Sequence, residues 1–301
     1  MKLKKRTVYL TVLIIIFILA LFYFLKTPKE IYKVEGNTLS YAENRPKPNY
    51  QITLNSTTQN LEIYNINFES RPFLDQETTI HALLFLPKDK QNLPGLVFLS
   101  GGGVTKEAVS NFSSRIAELG YAILVIDQRG LGETGGAYLP PQQDYQFFTQ
   151  GEEPIQHLSV YDALASFDVL KVIPEVDKNN IALMGESMGA RYAIIATALD
   201  DRIKGLIVIS GAGFNIDINP IQQGNDYLVS IDPDHYISKI SPRPVFFLQG
   251  TNDTVVPLQN AQNTFNKAKE PKYFFKAEDC SHGFCEEMWD ELKNDLETIS
   301  K

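Results

Sequence analysis

From about residue 60 onward, short apolar runs alternate with longer stretches of helical spacing. Leu96–Leu99, Tyr121–Ile126, Ile181–Met184, Gly205–Ile209 and Val245–Leu248 are short and almost wholly apolar. That pattern predicts strands buried on both faces of a sheet. Between and after them the spacing predicts helices over Lys106–Leu119, Ile155–Leu170, Met188–Leu199, Leu258–Ala268 and Glu286–Ile299, with a further strand at Tyr273–Lys276. Two earlier runs, Leu61–Phe68 and Thr79–Leu86, flank a loop containing Pro72 and Asp75 and read as an antiparallel pair. Strands that alternate with helices require a mostly parallel sheet covered on both sides, and right-handed crossovers restrict how it is wound. The expected architecture is therefore α/β, a mixed sheet of about eight strands forming one domain over residues 51–301. A small cap is expected at 213–240, and a second elaboration at 130–156 lies over the same edge.

The first fifty residues follow another pattern. Val8 to Leu25 is an uncharged run of eighteen residues between Arg6 and Lys26. As a helix it would span about 27 Å, close to the ~30 Å hydrocarbon core of a bilayer. The run has no polar face for a core helix, and its bulky end does not suit signal cleavage. A membrane anchor over residues 1–26 is expected, with a secreted, cleaved form as the alternative. Lys2, Lys4, Lys5 and Arg6 precede the run, while Glu30 and Glu35 offset the lysines after it. That bias keeps the N-terminus cytoplasmic and exports the body. Residues 27–50 are polar, contain Pro28, Pro46 and Pro48, and read as a tether.

Charge removes one class of function. The chain carries a net charge of −8, and the four basic residues at its start leave the remainder more acidic still. Such a body repels phosphate backbones, and no basic stripe favours a nucleic-acid partner.

Candidate chemistry centres on Gly185-Glu186-Ser187-Met188-Gly189, which lies between a predicted strand and a predicted helix. A nucleophilic serine on a tight strand-to-helix turn needs small neighbours at those positions. Of the four histidines, His81 is mid-strand and reads as structural, His157 suits a cap or a surface, and His235 would have to reach in from the cap. His282 stands on a loop between the last strand and the last helix and is the expected general base. Asp253, just after the VFFL strand, is the expected acid that orients it; Asp232, Asp234 and Asp279 are rivals. The oxyanion would be held by the backbone N–H of Met188 and by one from Ser100-Gly101-Gly102-Gly103, with Gly102 ahead of Gly103. No Lys-Ser/Thr follows those glycines, so a phosphate loop is disfavoured.

These segments, together with Asp127-Gln128-Arg129-Gly130-Leu131-Gly132, GTNDTVVP and SHGF, resemble the α/β-hydrolase superfamily over roughly residues 60–300. Within it the chain is most similar to the dienelactone-hydrolase and acetyl-xylan-esterase branch, which implies an α/β-hydrolase fold. Two departures stand out. Dienelactone hydrolases use a cysteine nucleophile where this chain has Ser187, and Ser100 replaces the histidine that often opens the oxyanion loop. The D-x-R-G-x-G segment is also similar to that of α/β-fold peptidases.

The implied reaction is two-step acyl transfer on a small-molecule ester or thioester, with no metal or organic cofactor. A serine peptidase for short peptides and a catalytically silent, membrane-anchored binding protein are the alternatives. Cys280 and Cys285, the only cysteines, flank His282. In an exported domain they are expected to pair, provided Gly283 turns the chain between them.

Overall fold

The computed structural model describes residues 32–215 and 225–301. The expected membrane run at 8–25 lies outside them. Among the described residues no helix is long and apolar enough to cross a membrane.

The described residues form eleven strands: β1 (Tyr32–Glu35), β2 (Thr38–Tyr41), β3 (Tyr50–Thr57), β4 (Leu61–Phe73), β5 (Gln76–Pro87), β6 (Leu93–Leu99), β7 (Ala122–Ile126), β8 (Val176–Glu186), β9 (Leu206–Ile209), β10 (Val245–Gly250) and β11 (Lys272–Ala277). The helices are α1 (Ser110–Glu118), α2 (Pro141–Thr149), α3 (Ile155–Leu170), α4 (Met188–Leu199), α5 (Asn225–Ser230), α6 (Pro233–Tyr236), α7 (Leu258–Lys267) and α8 (Trp289–Ser300). Strands β3 to β11 form one nine-stranded sheet in the order β11-β10-β9-β8-β6-β7-β5-β4-β3. From β7 to β11 all neighbours are parallel, while β3, β4 and β5 join antiparallel at one end.

The apolar strands serve both faces. Along β6, Val97 and Leu99 pack with α3 and α4, whereas Leu96 and Phe98 pack with α1 and α8. Helix α3 is buried along nearly its whole length, which is why its sequence is apolar on almost every side. Its N-terminus is capped from a distance: Asp144 of α2 accepts the N–H groups of Ile155 and Gln156, each at 2.8 Å.

Three expectations are corrected. The sheet has nine strands rather than about eight, because the largely exposed β3 adds to its edge. The stretch read as a tether contains the hairpin β1–β2, turned at Gly36-Asn37, where both residues have positive φ. That is the backbone of a two-residue hairpin turn of the kind Gly and Asn favour. The hairpin is packed: Leu39 is fully buried, and its N–H donates to the Tyr236 hydroxyl at 2.8 Å. His157 is neither a cap nor a surface residue. It is fully buried, with Nδ1 2.9 Å from the Tyr32 hydroxyl and Nε2 2.7 Å from Ser230 Oγ. Burial depresses its pKa to about 3, so the ring is neutral and serves both hydrogen bonds. The cap segment is described in part: α5 and α6 fall within 213–240, and residues 216–224 lie outside the described residues.

Candidate active site

Strand β8 ends at Glu186 and α4 begins at Met188, so Ser187 occupies the junction with φ 53° and ψ −114°. A serine holds that left-handed backbone only where the surroundings fix it. They do so here by contact. A Cβ on Gly185 would lie 2.5 Å from Ala190 Cα, and one on Gly189 would lie 2.1 Å from the carbonyl oxygen of Leu99. The Ser187 N–H donates to the Ile209 carbonyl at 3.0 Å, which ties the turn to β9. Strand, turn and helix together lift the hydroxyl to the carboxyl edge of the sheet.

The structure brings Ser187, His282 and Asp253 together. His282 Nε2 lies 2.8 Å from Ser187 Oγ, and His282 Nδ1 lies 2.9 Å from Asp253 Oδ2. Asp253 follows β10 and is buried, which alone would raise its pKa. Hydrogen bonds from His282 and from the N–H groups of Val256 and Val255 outweigh that and hold it below the usual value. Gln249 Nε2 donates to Oδ2 at 3.0 Å and fixes the carboxylate further. The rival acids are engaged elsewhere. Asp232 accepts from Phe214 and Asp234 N–H groups, Asp234 binds Lys267, and Asp279 takes a side-chain bond from Asn252.

The histidine loop is held at several points. Gly283 N–H donates to Ser210 Oγ at 2.9 Å, and Phe284 N–H donates to Glu186 Oε2 at 3.1 Å. The Phe284 ring lies 4.5 Å from that of Phe112. Cys280 and Cys285 are joined by a disulfide with Cα atoms 6.2 Å apart, closing the loop around His282.

Met188 opens α4, so its N–H is one of those without an intrahelical acceptor. Gly102 stands against it: a Cβ there would lie 3.6 Å from the Met188 sulfur. Gly102, Gly103, Leu131, Tyr138, Ser187, Met188, Arg191, Val255 and His282 line one cleft of about 520 Å³. Both expected oxyanion donors therefore flank the serine in the same cleft.

Two supporting residues escaped the sequence reading. Gln128 donates to the Ser100 carbonyl and so braces the glycine loop. Glu186 places its carboxyl between the glycine loop and the histidine loop, where burial raises its pKa. An ionisable residue just after the apolar run Ile181–Met184 is the available signal. The buried Asp127 is structural. Together with Glu107 and Glu133 it forms a group of carboxylates close enough to hold a cation, and the Lys106 ammonium already occupies that place, 2.7–2.8 Å from all three.

Comparison with known proteins agrees with this architecture. The chain is similar to an acetyl xylan esterase from Paenibacillus sp. R4, with a TM-score of 0.70, 20% identity and coverage of 85% of this chain and 90% of that one. Acetyl xylan esterase 1 from Thermoanaerobacterium sp. JW/SL YS485 gives a TM-score of 0.63 at 16% identity, covering 84% and 89%. These likenesses establish the α/β-hydrolase fold. In sequence, uncharacterized protein YfhR of Escherichia coli (strain K12) is 24% identical over 219 residues, 66% of this chain and 72% of that one. Residues 80–295, most of the described domain, match the dienelactone hydrolase family, and the chain belongs to it.

Proposed function

We propose that the protein is a serine hydrolase that cleaves ester or thioester bonds of small to medium acyl substrates through Ser187, His282 and Asp253. The observation that carries this is the unbroken line of hydrogen bonds from Asp253 through His282 to a serine on a strained turn. A serine hydroxyl attacks a carbonyl only when a base takes its proton as the bond forms. His282 Nε2 is within reach to do so, and Asp253 fixes the tautomer that leaves Nε2 free and stabilises the imidazolium. Oxygen of the substrate carbonyl then gains charge beside Met188 and Gly102, whose N–H groups are the proposed donors. His282 protonates the leaving alcohol or thiol, and water activated by the same imidazole hydrolyses the acyl-enzyme.

The test is hydrolysis of 4-nitrophenyl acetate by the purified protein and by Ser187→Ala. The variant should lose on the order of 10⁴-fold in kcat while its melting temperature is kept. A variant retaining more than about a tenth of the activity contradicts the assignment.

We also read residues 8–25 as a membrane span with the catalytic domain on the exported side, on the length of that run and the basic cluster before it. A chain beginning at residue 27 should leave the membrane fraction; one that stays there contradicts the reading.

A further inference from the structure

The cleft beside Ser187 holds an arginine that no acid among the described residues balances. Among the described residues, Arg45, Arg71, Arg115, Arg129, Arg202 and Arg243 each pair with a carboxylate. Arg191 pairs with no carboxylate among the described residues, although the chain carries 36 acidic residues against 28 basic ones. It lies on α4 one turn beyond Ser187, is half-buried, and lines the same cleft as the serine and His282. No other lining side chain carries a permanent charge.

Its only described partner is the Phe214 ring, whose centroid is 5.5 Å from Arg191 Cζ. An aromatic face engages a guanidinium through its plane or its charge and orients it without supplying an acceptor for the N–H groups. A half-buried arginine whose guanidinium donates to no described residue is set up to receive a planar or tetrahedral oxyanion by paired hydrogen bonds.

We infer that Arg191 forms an anion-binding subsite of this cleft and that the substrate is an ester bearing a carboxylate or phosphate group. The inference rests on the ester-hydrolase reading above and adds the chemical class of the substrate. The anion stands within one side-chain length of the carbonyl that Ser187 attacks, either on the acyl part or on the alcohol. Arg191 takes no part in bond making; it raises the share of productive encounters for charged esters.

Two pairs of esters separate the sources of the charge. Monoethyl glutarate against ethyl hexanoate places a carboxylate on the acyl side, and butyryl-glycerophosphate against monobutyrin places a phosphate on the alcohol side. The wild-type protein should favour the anionic member of at least one pair by about tenfold or more in kcat/KM, chiefly through KM. Arg191→Gln should bring that ratio down toward one. Arg191→Lys, which keeps the charge and loses the fork, should keep part of it. Because each ratio is taken within one protein, differences in folded fraction cancel, and if Arg191→Gln is inert the lysine variant decides by a reduced ratio. Hydrolysis of the neutral esters with ratios within about threefold in both pairs overturns the subsite and leaves the ester-hydrolase reading standing, as does a preference that the variants do not change. Failure to hydrolyse any of the four esters overturns that reading, and the subsite with it.

Discussion

Arg45 Nη2 donates to Asp200 Oδ2 at 2.5 Å across 155 positions of sequence, joining the stretch before β3 to the end of α4. Both side chains are buried, and Arg45 also reaches Asp168 at 2.6 Å. Burial acts to raise the Asp200 pKa, but hydrogen bonds from Arg202 and Arg45 outweigh it and bring it down to about 2. Residues 32–45 are therefore part of the folded domain. Arg45→Ala should cost about 2 kcal/mol, because it takes one of two arginines from the buried Asp200 and the partly buried Asp168, both of which Arg202 still binds. Urea unfolding at pH 7 measures this, and a loss under about 0.5 kcal/mol would contradict the account.

The same geometry predicts how the chain tolerates shortening. A protein beginning at residue 32 should fold as the full domain does. One beginning at Pro46 lacks the hairpin that covers Tyr236 and supplies the Tyr32 hydroxyl to His157. It also lacks Arg45 and should melt several degrees lower, as a loss of ~2 kcal/mol or more implies for a domain of this size. Equal melting temperatures would show that the hairpin packs without stabilising.

Asp295 sits buried on α8, and burial, with a smaller contribution from the Glu291 charge, raises its pKa to about 8. The unfolded chain ionises this group near ~4. Between those values the native state holds the extra proton, so stability attributable to Asp295 is full below pH 4 and falls as pH rises toward 8. Asp295→Asn should match the wild type at pH 4 and be more stable by a few kcal/mol at pH 8.5 or so. A stability difference that does not grow with pH contradicts this.

The disulfide closes a very short loop, so it removes little entropy from the unfolded chain and should add less than the ~3 kcal/mol estimated for a loop of about 15 residues. Its effect is local, on the segment that carries His282. Protein purified and denatured without reductant should show no titratable thiol. Reduction should then lower kcat more than it lowers the melting temperature. Two free thiols, or an unchanged kcat on reduction, would remove that role.

Much of this was legible in the sequence because the signals were local. Helices α3 and α4 match their expected bounds residue for residue, since Pro154 precedes one and the Ser187 turn precedes the other. Ser187 and Asp253 each follow a buried apolar run, and His282 follows the edge strand β11; the sheet's winding alone brings such loops to one edge. What was missed depended on tertiary partners. The hairpin β1–β2 is too polar to read as core, although its Gly36-Asn37 turn is a recognisable hairpin signal. Strand β3 has no buried face, so it carries no burial pattern to detect. His157 looked like a surface residue because Tyr32 and Ser230, which make its burial tolerable, are 125 and 73 positions away.

The most direct test of the central claim is to see the nucleophile react. Treatment with a fluorophosphonate, followed by mass spectrometry of the digested protein, should find one phosphonyl adduct on the peptide containing Ser187. Labelling should be absent in Ser187→Ala and slowed by orders of magnitude in His282→Gln, which removes the base. A protein that hydrolyses esters yet carries no adduct, or carries it on another residue, would contradict Ser187 as the nucleophile.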